Sequence, residues 1–232
     1  MELLIAHIDN KEAICGTPEN SISKWRGVKL NATSEVYEID WFLYRLTGSV
    51  QLEWLPLNII ELHIASNKLI DSIDLTALPP TLTAIKLFNN IFSEEVCLTE
   101  LPENIYEIDI SSKKLSGTLN LQSLPKALIE FSLNSNLFTG QLDLTNLPQN
   151  LEIFNVSENL LSGPIDLRAL PRTLKQLFLC ENALSGCTDF SQLPPSLTDI
   201  DISKTQLGGE IHIRVGDVGI YHVKGSMVKI VY

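Results

Sequence analysis

The sequence predicts an α/β-type repeat solenoid, mostly short parallel β-strands with a 3-10 or irregular convex side. Three observations carry that expectation. Leu-Pro recurs at Leu55, Leu78, Leu101, Leu124, Leu147, Leu170 and Leu193, each step 23 residues. Apolar residues stand at fixed offsets after each of those leucines. An asparagine occupies one fixed offset at Asn67, Asn90, Asn136, Asn159 and Asn182. Self-similarity at a period of roughly 20–50 residues is the signature of stacked turns.

The elements follow from the register. Seven and nine residues after the leucine come paired apolar residues such as Leu62/Ile64, Ile108/Ile110, Phe154/Val156 and Ile200/Ile202. Alternation makes a short strand with one buried face. One turn cannot bury that face alone, so stacked turns share a core and their strands form a parallel sheet. The asparagine, twelve after, closes each strand and satisfies backbone groups at the bend. Lys113 and Thr205 stand in its place in two copies, where a ladder of asparagines is expected to break. Glycine, sixteen after from Gly117 to Gly209, lets the backbone turn away. A second apolar pair (Ile73/Leu75, Leu119/Leu121, Leu142/Leu144, Ile165/Leu167) predicts a short strand on another side of the coil. Proline then fixes φ where the next arc begins.

Residues 32–54 obey the same register without Leu-Pro and with Tyr44 in the asparagine position, giving eight repeats over residues 32–213. Residues 1–31 read as an N-terminal cap, with an amphipathic helix from Glu2 to Ile14 and a helix start at Thr17-Pro18-Glu19. Residues 214–232 read as a C-terminal β-hairpin cap turning at Lys224-Gly225-Ser226. In that reading residues 220–224 add a ninth strand and the last segment folds over the end.

The pattern resembles the leucine-rich-repeat family. Leu174 to Gly186 reads Leu-x-x-Leu-x-Leu-x-x-Asn-x-Leu-Ser-Gly, the plant-type variant, and Leu151 to Gly163 repeats it with Phe and Val substitutions. Trp25-Arg26-Gly27-Val28 resembles the Trp-x-Gly-Val of the plant-type cap, where a strand adds to the sheet. The resemblance covers residues 32–213 and implies a right-handed superhelix with a concave sheet. It says little of function, because the fold hosts many partners.

Composition bounds the function. The 232 residues are 44% hydrophobic and 19% charged, as in folded proteins. A net charge of −11 repels phosphate backbones, which argues against nucleic acid and for a protein partner of basic or mixed charge. No apolar run approaches the roughly 18 residues of a membrane span. The first residues lack a basic region and a cleavage site, and Cys15, Cys97, Cys180 and Cys187 have no framework spacing. An intracellular, cytoplasmic chain is therefore expected. The family's extracellular members staple their cap with cysteines that are missing here.

No phosphate loop, zinc spacing or nucleophile elbow is present, so no catalysis, metal or cofactor is expected. Residues six, eight and ten after each leucine alternate with the core and should project from the concave sheet. Glu107 and Asp109 lie two apart on one strand, a pairing known from glycosidases. An open sheet is not expected to raise a carboxylate's pKa by burial, and Lys86 on the next strand should pair with Asp109. Aromatics stand among the charges at Phe42, Phe88 and Phe178, as at interface anchors. The expected function is a protein-binding module whose concave contacts are His63, Lys86, Phe88, Glu107, Asp109, Glu130, Phe178, Asp199 and Asp201. The alternatives are a structural subunit of a larger assembly and an extracellular recognition or adhesion domain.

Overall fold

The computed structural model describes residues 1–17, 20–111, 114–213 and 220–231. The predicted helix start at Pro18-Glu19 and the substitution at Lys113 lie outside them. Among the described residues, one ten-stranded sheet runs the length of the chain. Val28–Leu30 opens it, antiparallel to Val36–Asp40, so the Trp25-Arg26-Gly27-Val28 segment does lead into an added strand. Each later neighbour is parallel and one turn further on: Glu61–His63, Ala84–Lys86, Glu107–Asp109, Glu130–Ser132, Ile153–Asn155, Gln176–Phe178, Asp199–Asp201 and Ile220–His222. From Val36–Asp40 to Asp199–Asp201 the register moves in steps of one repeat, so Leu62, Ile85, Ile108 and Phe131 stack as one buried row. Phe131 and Phe154 meet in that row with ring centroids 5.9 Å apart.

The asparagine ladder is built as the sequence implies. Asn159 Oδ1 accepts the Phe138 N–H of the preceding turn at 3.1 Å. Its Nδ2 donates back to Leu133 O, also at 3.1 Å, and to Val156 O of its own turn. Asn67, Asn90, Asn136 and Asn182 repeat this geometry. Thr205 fills the position only in part. Its hydroxyl donates to Ile202 O at 2.7 Å and accepts weakly from Leu207 N at 3.4 Å, both within its own turn. Ser226 makes the same local pair with Val223 O and Val228 N. In the first repeat the Leu46 N–H is held by Asn67, and Asn10 of the cap accepts the next N–H, that of Thr47, and donates to Arg45 O.

Three expectations are corrected. The second strand of each turn falls around the glycine, at Leu160–Gly163 or Ala183–Cys187, rather than on the second apolar pair. The reason is a side-chain turn at that pair. Asp74, Asn120, Asp143, Asp166 and Asp189 each accept the backbone N–H two residues on, which bends the chain out of strand. Among the described residues only Gln206–His212 runs on from the glycine into the second apolar pair, reaching Ile211.

At the N-terminus the helix is confined to Glu12–Cys15. Ahead of it the chain lies across the first repeat: Asp9 N–H donates to Thr47 O and Ile8 bridges Gly48. Gly48 has φ 86°, and a Cβ there would strike the His7 carbonyl oxygen. At the C-terminus, Ile220–His222 extends the concave sheet and Met227–Val231 joins the second sheet beside Gln206–His212. The two strands are not partners of each other. Lys224-Gly225-Ser226 makes the bend that every turn makes, so the end is a ninth, partial turn and not a hairpin.

Candidate binding face on the concave sheet

Positions six, eight and ten of the turns carry the candidate side chains, held outward because positions seven and nine are locked into the core. In the first four turns these side chains converge. Lys86 Nζ lies 2.7 Å from Glu107 Oε1 on the next strand. Lys29, on the antiparallel cap strand, lies 2.8 Å from Glu38 Oε1. His63 Nδ1 faces Asp40 Oδ1 at 3.4 Å. The Phe42 ring stacks on His63 at 4.9 Å and 24°. Phe88 closes the group, 6.0 Å from His63 and 6.4 Å from Phe42. Beside this cluster is a pocket of about 150 Å³, lined by Glu38, Asp40, Glu61, His63, Lys86 and Tyr106 among others.

The electrostatics of the pocket follow from its charges. Burial pulls the Lys86 ammonium down, but the Glu107 carboxylate, with Glu130 beyond, keeps its pKa above the ordinary lysine value. Burial raises the Tyr106 phenol, and the nearby Glu61 and Glu107 carboxylates raise it further.

Two expectations about Asp109 are overturned. It does not pair with Lys86; its Oδ1 accepts the Ser111 N–H at 3.0 Å and the Ser111 hydroxyl at 2.5 Å. Its carboxyl also titrates above the usual range, because burial outweighs the two Ser111 hydrogen bonds. The side chain folds along its own strand instead of standing out into solvent. Asp40, Asn155 and Asp201 do the same for Phe42, Ser157 and Ser203. Position eight, when acidic or Asn, thus serves the backbone first.

The remaining candidates are more dispersed. Glu130 is exposed one strand beyond Glu107. Phe178, Asp199 and Asp201 form a second patch four strand steps from Lys86, roughly 19 Å at strand spacing. Phe178 is half-buried, in register between Asn155 and Asp201. Asp199 Oδ1 is buried, and His222 Nε2 approaches it at 3.8 Å, beyond hydrogen-bond distance. Cys180 is half-buried, its thiol pushed up to about 11 by burial and by Asp201, which makes it a poor nucleophile. Among the described residues no group of three or more His, Cys, Asp or Glu is placed to hold a metal ion. Among the same residues no helix is long and apolar enough to cross a membrane.

Sequence reasoning left Tyr106 and Glu61 out of the contact set. Tyr106 sits one residue before its strand, where the two-residue alternation does not yet mark a face. Glu61 lay in the sixth-position column, but only the neighbourhood of His63 and Tyr106 distinguishes it.

No protein-family model matches the sequence, and no curated protein matches it. Solved structures do share its architecture. The leucine-rich-repeat ectodomain of the Arabidopsis thaliana receptor kinase GASSHO1/SCHENGEN3, solved with CASPARIAN STRIP INTEGRITY FACTOR 2, matches 91% of the chain. The TM-score is 0.58 and the identity 18%. The chain has the leucine-rich-repeat fold. The Arabidopsis receptor kinase HAESA, solved with the peptide hormone IDA and a co-receptor, matches 91% of this leucine-rich-repeat chain with a TM-score of 0.53 and 18% identity. The chain spans 30% of the first receptor structure and 46% of the second. A plant ice-binding protein matches 97% of this leucine-rich-repeat chain over 84% of its own length, with a TM-score of 0.72 and 18% identity.

Proposed function

We propose that this leucine-rich-repeat chain is a non-catalytic protein-binding module that takes a segment of basic or mixed charge on its concave face. The observation that carries the reading is the pocket beside the Phe42–His63–Phe88 cluster, where aromatic rings and carboxylates stand together on side chains freed from core duty. Aromatic anchors at the centre of a polar surface are where binding energy concentrates. The net charge of −11 supports a basic partner. Two receptors of this fold were solved with a bound factor or peptide hormone, which supports the same use of the scaffold. The four free cysteines support work in a reducing compartment.

The test is capture of a partner by the purified chain, then by the Phe88→Ala/Phe178→Ala double variant. The reading expects the variant to keep a cooperative thermal transition and to lose at least tenfold in affinity. Undiminished capture by a folded double variant refutes it.

A second reading is ice binding, favoured by the coverage of the plant ice-binding protein and by a row of hydroxyls at Ser116, Thr139, Ser162 and Ser185 on the second side of the coil. It expects thermal hysteresis from the free chain that Phe88→Ala leaves untouched; ordinary freezing removes it.

A further inference from the structure

We infer that the pocket in the first four turns of the concave sheet is a socket for an arginine side chain of the partner. The inference rests on the concave reading above and names the chemistry of its anchor.

The pocket is rich in acceptors and poor in free donors. Glu38, Asp40, Glu61 and Glu107 all line it. The two nearby ammonium groups are already engaged, Lys29 by Glu38 and Lys86 by Glu107. Glu61 is exposed and takes no hydrogen bond or ion pair among the described residues. Four carboxylates against two lysines leave the pocket negative, and Glu61 is the carboxylate with nothing opposite it.

His63 adds a polar atom with nothing opposite it. Its Nδ1 lies 3.4 Å from Asp40 Oδ1. Its Nε2 is buried with no hydrogen-bond partner among the described residues. A buried polar atom without a partner is costly to leave so.

The rings select among cations. Tyr106 lines the pocket, and the Phe42–His63 stack and Phe88 stand beside it. A guanidinium is planar, weakly hydrated, stacks on aromatic faces and offers five N–H groups in a fixed fork. Such a group pairs with the Glu61 carboxylate while its plane rests on the Tyr106 ring, both of which line the pocket. An ammonium is compact and strongly hydrated, and Lys86 already supplies one here. About 150 Å³ holds a side-chain head and part of its stem.

The experiment is a titration of the full, isotope-labelled chain followed by amide and imidazole NMR. The probes are Nα-acetyl-arginine amide and its neutral isostere Nα-acetyl-citrulline amide. Saturable shifts are expected at His63, Lys86 and Tyr106 with the arginine probe, and at least fivefold weaker binding of the citrulline probe. Glu61→Gln should weaken the arginine probe at least fivefold. Glu95→Gln, which removes an exposed carboxylate on a two-stranded sheet away from the concave strands, should leave it unchanged and so controls for net charge. Equal response to both probes, or equal effects of the two substitutions, overturns the socket. A pocket blind to arginine on a chain whose partner capture still needs Phe88 and Phe178 sinks the socket alone. Arginine binding by a chain whose capture ignores both phenylalanines sinks the concave reading and, with it, the assignment of the arginine to a partner.

Discussion

Removing one rung of the asparagine ladder should cost more than any surface change on this molecule. Asn159 is buried, accepts the Phe138 N–H at 3.1 Å, and donates toward the Leu133, Val156 and Ser157 carbonyls, each at 3.1 Å. Alanine leaves the Phe138 N–H without its partner, a penalty of about 1–3 kcal/mol. It also removes two amide donors, each contributing about 0.5–1.5 kcal/mol net. The expected loss for Asn159→Ala is therefore about 2–6 kcal/mol. In a chain of this size each kcal/mol moves the melting point by about 2–4 °C, so Tm should fall by about 4–24 °C. Asn159→Asp keeps the acceptor but turns a charge toward three carbonyls, and should be worse. Asn159→Thr should fall between wild type and alanine, because Thr205 supplies only contacts within its own turn. Urea melts followed by circular dichroism measure all three. A loss under about 0.5 kcal/mol for alanine, or an aspartate variant as stable as wild type, refutes the ladder's role.

Two further substitutions test particular positions. Asp109 titrates above its ordinary range, so the fold penalises its charged form, and the penalty is felt above the folded pKa and fades as pH falls toward the unfolded one. Asp109→Asn should raise the urea midpoint at pH 7 and lose that advantage near pH 3; Asn155 already makes the equivalent bonds to Ser157. A variant less stable at pH 7 than wild type contradicts the assigned cause. Glu94 has φ 75° at the position where five later turns carry glycine. Relief of about 1–2 kcal/mol of left-handed strain, set against glycine's entropic cost of about 0.5–1 kcal/mol, makes Glu94→Gly stabilising by up to about 1.5 kcal/mol. A destabilised Glu94→Gly removes that account.

The solenoid was legible because one period fixes everything that repeats. Leucine, asparagine and glycine recur because each turn must bury the same row, close the same bend and reverse at the same place. What the sequence hid was local and irregular. The carboxylates at Asp74, Asp143, Asp166 and Asp189 look like surface charge, yet each turns the backbone, and only hydrogen-bond geometry reveals why the second apolar pair is not a strand. The ends escaped the period for the same reason. Met227–Val231 reads as half of a hairpin, but the parallel edge of Gln206–His212 offers it a longer pairing.

The candidate site was legible by column and not by contact. The register placed His63, Lys86, Phe88 and Glu107 on one face, and the structure brings them together. It could not tell that Asp109 folds back onto Ser111, nor that Tyr106, outside the alternation, reaches the pocket. Side-chain direction just before a strand and at a side-chain turn depends on local backbone angles that apolar spacing does not encode.

The central claim is that partners dock on the concave face at its first four turns. Amide hydrogen exchange of the full chain, with and without its captured partner, tests this most directly. The account predicts protection on Glu61–His63, Ala84–Lys86 and Glu107–Asp109 and on the residues that follow each strand. Protection confined to Leu160–Gly163, Ala183–Cys187 and Gln206–His212, with those concave strands unchanged, would contradict it.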